Sequence, residues 1–187
     1  MLEIKHMTLA ELEAGLEEIR RSPKNEGVLE MIVARPAVGK RKVLQTGELD
    51  AELGLIGDNW KTRGSSRMSN GFGHPEMQLN IMNARAIALI AGTRERWPLA
   101  GDQLYIDLDL SGENLPPGSR LAIGPAVIEI TAIPHNGCRK FTNRFGKDAV
   151  KFVNSETGKK LHLRGLNARI IRPGRIAAGD IVKKLEA

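Results

Sequence analysis

The chain has 187 residues, with 28 Lys or Arg against 22 Asp or Glu and a formal net charge of +6. Hydrophobic residues make up 41% and charged residues 27%, a balance that supplies one packed core and argues against wholesale disorder. The single cysteine excludes an intramolecular disulfide, a protein-held iron–sulfur cluster and every multi-cysteine zinc pattern.

"TLAELEAGLEEIRRSP" predicts a helix over residues 8–21, with Thr8 and Glu11 at capping-box spacing and Leu9, Leu12, Leu16 and Ile19 on one face. Residues 1–26 are read as a helical appendage and 27–187 as the body. "VLEMIVARP" predicts a strand ended by proline, and "KRKVLQTGEL" a second. "GLIGDNWKTRGSSRMSNGFGHPEM" carries five glycines and reads as mostly loop. "QLNIMN" predicts a strand and "NARAIALIAGTRERW" a helix that Asn83 is placed to cap. In "QLYIDLDL" the residues Leu104, Ile106, Leu108 and Leu110 alternate with Tyr105, Asp107 and Asp109, the pattern of a half-buried strand.

"SRLAIGPAVIEITAIP" predicts two short strands around Gly124-Pro125. Phe141, Phe145, Ala149 and Phe152 have the spacing of one helix face, and "ARIIRP" and "DIVKKL" close the chain as strands. Short strands between Gly/Pro turns, with few helices, predict a mainly-β barrel or sandwich.

No run approaches the roughly 18 apolar residues of a membrane span, and the acidic amphipathic N-terminal stretch lacks an apolar signal core. A cytoplasmic protein without a membrane partner is expected. The positive charge favours an anionic partner. Aromatic residues are only 4%, which argues against a single-stranded nucleic acid and leaves a phosphorylated small molecule.

Cys138, in "PHNGCRKF", follows a turn and precedes Arg139 and Lys140. A thiolate beside positive charge is a nucleophile or a soft metal ligand; a buried lone cysteine is equally a small hydrophobe. His135 reads as a base, a ligand or a loop histidine, and His74 and His162 have no partner in sequence. In "GLIGDNW" the glycines at 54 and 57 permit a tight turn from which Asp58 and Asn59 could orient a polar ligand. "SGENLPPG" presents Glu113 and Asn114 beyond a strand. Ordinary turn chemistry accounts for either stretch as well.

Taken in order, the "GD" turn, "ENL", "LAIGPAVIEIT", the proline–cysteine–basic stretch and "GLNARIIRPGRIAAGD" resemble the MOSC family, domains similar to the C-terminal part of molybdenum cofactor sulfurases. The resemblance spans about residues 28–185. It implies a β-barrel with a few peripheral helices that binds molybdenum cofactor, a metal dithiolene on a phosphorylated pterin. It makes Cys138 the metal-ligand candidate; His135 is the nearest proton-donor candidate in sequence, with Asp58 a weaker one. Pocket candidates are Gly57, Asp58, Asn59 and Trp60 from the first turn, Asn114 from the second, and Asn136, Arg139, Lys140 and Arg144 around the cysteine. Trp60 stands where many relatives carry histidine, which implies a more apolar pocket.

The implied reaction is reduction of a small N-hydroxylated substrate with electrons from a separate donor protein. The alternatives are a non-catalytic cofactor or sulfur carrier and, more weakly, a basic nucleic-acid-binding barrel. The sequence shows no aminotransferase-like region for pyridoxal phosphate.

Overall fold

A computed structural model describes residues 6–186. Strands β1 (Glu26–Ala34), β2 (Lys42–Leu44), β3 (Thr46–Asp50) and β4 (Gly54–Leu55) come first. They are followed by β5 (Leu79–Asn83), β6 (Leu104–Asp107), β7 (Arg120–Ile123) and β8 (Ala126–Ile130). The last three are β9 (Leu166–Arg172), β10 (Gly174–Ala177) and β11 (Ile181–Lys184). Strands β11-β7-β8-β9-β5-β6-β1 run side by side, and a β11–β1 pairing closes them into a barrel. The long β1 makes closure possible. Its first half pairs β11 through Val28↔Ile181, while its second half pairs β2 through Ile32↔Leu44. Strands β10, β3 and β4 form a small separate sheet, so the stretch "KRKVLQTGEL" is two strands in two sheets rather than one.

The pairing of β5 with β6 is parallel, and such a pair needs a crossover connection. Helix α4 (Ala84–Ala91) and the 3-10 helix Arg94–Ala100 supply it. Asn83 caps α4 by accepting from the Ala86 N–H at 2.9 Å, as its sequence position predicts.

The core has two parts. Leu29, Ile32, Ile81, Leu104, Ile106 and Ile128 fill the barrel, whereas Met31, Val33, Met82 and Tyr105 point outward into a second cluster under the helices. Tyr105, expected on the polar face of a half-buried strand, is therefore fully buried. Its hydroxyl donates to Trp97 O at 2.7 Å.

The predicted N-terminal helix is two pieces, α1 (Leu9–Ala14) and α2 (Leu16–Arg20), interrupted at Gly15 where the side chain of Leu89 packs closely. The Thr8–Glu11 capping box is present. Leu12 and Ile19 enter the second cluster alongside Phe141, Phe145 and Phe152. The phenylalanine face also spans two helices, α5 (Arg139–Phe145) and α6 (Lys147–Asn154), which Gly146 separates at φ +91°. A short α3 (Trp60–Arg63) sits in the glycine-rich stretch, and α7 (Glu156–Lys160) follows α6. No helix of the described residues is long and apolar enough to cross a membrane.

Candidate functional site

The 3-10 helix that completes the crossover ends at Gly101, whose φ of +91° turns the chain out of the helix. Carbonyls at a helix end lack intrahelical donors and need other partners. Here Pro98 O accepts from the capping Gly101 N–H at 3.2 Å, and it and the next three carbonyls all accept from arginines. Arg41 Nε donates to Pro98 O at 3.1 Å and Arg144 Nη1 to Leu99 O at 2.6 Å. Arg164 Nη2 donates to Ala100 O and Arg35 Nη1 to Gly101 O, each at 3.0 Å. Residues from the β1–β2 connection, α5 and the segment before β9 are gathered on one turn.

These arginines line a cavity of about 350 Å³ together with Arg63, Lys140, Asn59, His135 and Cys138. Two of them have internal counterions. Arg35 is held by Asp58, with Nε–Oδ2 at 2.8 Å and Nη2–Oδ1 at 3.0 Å. Arg164 places Nη1 at 3.0 and 2.8 Å from the two oxygens of the fully buried Asp102. Burial, and then the charge of Arg144 and Arg35, lowers the pKa of Arg41. Burial, and then Arg35, does the same for Arg63. Cations held together against desolvation and mutual repulsion make this wall of the cavity electropositive.

Cys138 is exposed and stands at the N-terminal boundary of α5, on the cavity. His135 is behind it, its side chain 15% exposed with Nδ1 at 3.5 Å from Asp102 Oδ1. Burial, reinforced by Arg164 and Arg35, pushes the His135 pKa well below its ordinary value, so the ring is neutral at pH 7. His135 Nδ1 and Asn59 Oδ1 are both buried without a hydrogen-bond partner among the described residues.

The structure thus brings Cys138, His135, Asn59, Lys140 and Arg144 to one cavity. Other sequence candidates lie elsewhere. Asp58 is behind Arg35, its side chain 0% exposed and also accepting from the Trp60 N–H. It has no open face from which to act as a proton donor. Its role here is to fix Arg35. Trp60 is buried against Gly54 and Gly73 rather than in the cavity wall. Gly57 is an exposed turn residue, and Arg139 is exposed outside the cavity lining. Asn136 faces a neighbouring apolar cavity. Asn114 is in a different groove, where it donates to Lys24 O and Asp109 O and accepts from Lys184.

Arg35, Arg41, Arg164 and Asp102 are site residues that sequence reasoning missed. Arg35 left one trace, as a charged residue ending the apolar run "MIVARP". The others carried no local signal, since their meeting point is a turn between distant segments.

The fold and the cavity define a mixed β-barrel with an arginine-walled pocket beside one exposed thiol. A model of the MOSC domain matches residues 58–183, and the chain belongs to this family, which is associated with molybdenum cofactor binding. The solved structure of the YUAD protein from Bacillus subtilis is similar at TM-score 0.62 and 17% identity, covering 85% of this chain and 95% of that one. YiiM from Escherichia coli is similar at TM-score 0.55 and 22% identity, covering 86% and 70%. YiiM from Geobacillus stearothermophilus follows at TM-score 0.52 and 13% identity, covering 87% and 74%. These likenesses establish the shared barrel. A search of curated proteins finds no significant match.

Proposed function

We propose that this chain binds molybdenum cofactor in the Cys138 cavity and reduces small N-hydroxylated compounds with electrons from a separate donor protein. The observation that carries the reading is the convergence of an exposed thiol with arginines in excess of their carboxylates on one cavity. Among the described residues no group of three or more His, Cys, Asp or Glu is arranged to hold a bare metal ion.

The donor set suits that group. A thiolate from Cys138 matches a soft, sulfur-rich metal centre. Arg41, Arg63, Lys140 and Arg144 suit a phosphate. The orphaned Asn59 Oδ1 can accept from an N–H of a pterin ring.

When bound, the cofactor supplies a two-electron redox centre. Cleaving the N–O bond consumes two electrons and two protons and yields an N–H bond and water. Neutral His135 is a poor acid, but it can pass a proton from one ring nitrogen while the other receives one from water. The arginine wall would keep the anion oriented.

Small-molecule chemistry is favoured over nucleic acid because the cations converge on one cavity of small-molecule size rather than along a basic stripe. The test is metal analysis of protein from a cofactor-competent host, followed by assay on an aromatic hydroxylamine and an amidoxime. Turnover with reduced viologen, and none with nicotinamide cofactor alone, is the expected result. Full molybdenum occupancy without product would leave the carrier reading in its place.

A further inference from the structure

A second cavity of about 380 Å³ adjoins the Cys138 cavity, and the two have His135 and Arg164 in common. Its character is different. Leu115, Ile130, Ile133, Val153 and Leu166 contribute an apolar wall, and its one buried cation, Arg164, is neutralised by Asp102. The volume lies within the ordinary range for a small-molecule site.

At the shared partition two buried polar atoms, His135 Nδ1 and Arg164 Nε, lack hydrogen-bond partners among the described residues. The Arg164 side chain is only 7% exposed. Both residues approach the same atom, Asp102 Oδ1, at 3.5 and 3.0 Å. Buried polar groups are normally satisfied, so two orphans at one junction call for a ligand or a water. The Arg164 Nε–H donates, and a neutral imidazole nitrogen can accept. A hydroxyl attached to nitrogen offers the complementary acceptor and donor.

We infer that the apolar cavity is the substrate chamber: it takes the uncharged, one-ring body of the substrate and turns its N-hydroxy end to the His135–Arg164 partition. The inference rests on the reading of the Cys138 cavity as the cofactor pocket. It adds which substrates that pocket serves. An anionic substrate would be drawn to the arginine wall instead, whereas a neutral aromatic body gains by leaving water for the chamber.

The rim residues Ala132 and Lys159 are exposed, so bulk can be added there without disturbing the core. The test titrates the full chain, without cofactor, with benzamidoxime and follows backbone amide shifts. Perturbation of Thr131 and His162 in the parent protein, abolished in Ala132→Trp, is expected. In the loaded protein the same variant should raise KM for benzamidoxime by roughly 10-fold or more, leave kcat and molybdenum content near the parent's, and spare hydroxylamine itself. Lys159→Trp, on another part of the rim, serves if Ala132→Trp does not fold.

Shifts confined to Lys140 and Arg144, or no shifts at all, would overturn the chamber. So would turnover indifferent to both variants, although the reductase reading would then stand. Chamber binding without turnover would separate the two the other way, keeping the chamber and removing the reductase.

Discussion

Arg41 and Arg144 donate to adjacent carbonyls, those of Pro98 and Leu99, and their like charges share one wall of the Cys138 cavity. Arg144 is among the causes that lower the Arg41 pKa, second to burial. The two charges therefore repel across the wall, and a bound anion would relieve that repulsion. Arg41→Gln removes one of the repelling charges while retaining a donor for the Pro98 carbonyl. The melting temperature of the cofactor-free protein should not fall. Cofactor affinity should drop by roughly 10- to 100-fold, the loss of a hydrogen bond to a charged group. Calorimetry and cofactor-release rates measure both. A large loss of melting temperature would mean that Arg41 is a structural strut.

The Asp58–Arg35 pair gives the opposite expectation. Its side chains are 0% and 5% exposed, and removing one partner of a buried pair leaves an uncompensated charge. Asp58→Asn should destabilise the protein by about 3–5 kcal/mol, as read from the midpoint of urea unfolding. A change below ~1 kcal/mol, the range of exposed ion pairs, would show that the pair is open to water.

Cys138 is exposed, so Cys138→Ser should alter stability by no more than about 0.5 kcal/mol. Molybdenum retained through dialysis should nevertheless fall sharply, because a hydroxyl is a poor ligand for a soft centre. Equal metal content in variant and parent would remove the thiol from the metal's coordination.

His135 supplies a pH test. Its folded-state pKa is depressed by burial and then by the arginines, while the unfolded chain titrates near the ordinary value of about 6.5. Between those two values the unfolded state binds the extra proton, so the histidine's contribution is full above pH ~6.5 and is lost as pH falls toward the depressed value. Relative to the parent, His135→Gln should flatten the stability profile below pH ~6.5, by at most about 1.4 kcal/mol per pH unit. Parallel parent and variant profiles across that range would contradict a neutral buried ring.

The sequence by itself determined what depends on neighbours along the chain. Strand alternation at Leu104 and Ile106, the Asn83 cap, the Thr8–Glu11 capping box and the turn at Gly124-Pro125 are local effects of backbone geometry and side-chain period, and each appears in the structure. The order of the turn motifs was enough to show the family resemblance. Tertiary structure decided what depends on enclosure. Tyr105 is buried because a helix layer covers the barrel's outer face, a fact that an alternating pattern cannot carry. Asp58 turns inward to Arg35 instead of facing a ligand, and Asn114 belongs to another groove. Barrel closure and the β5–β6 crossover bring the 98–101 carbonyls to arginines at positions 35, 41, 144 and 164. Hydrogen bonding to a helix end is short-ranged in space but indifferent to sequence separation, so the arginine wall exists only once the chain has folded.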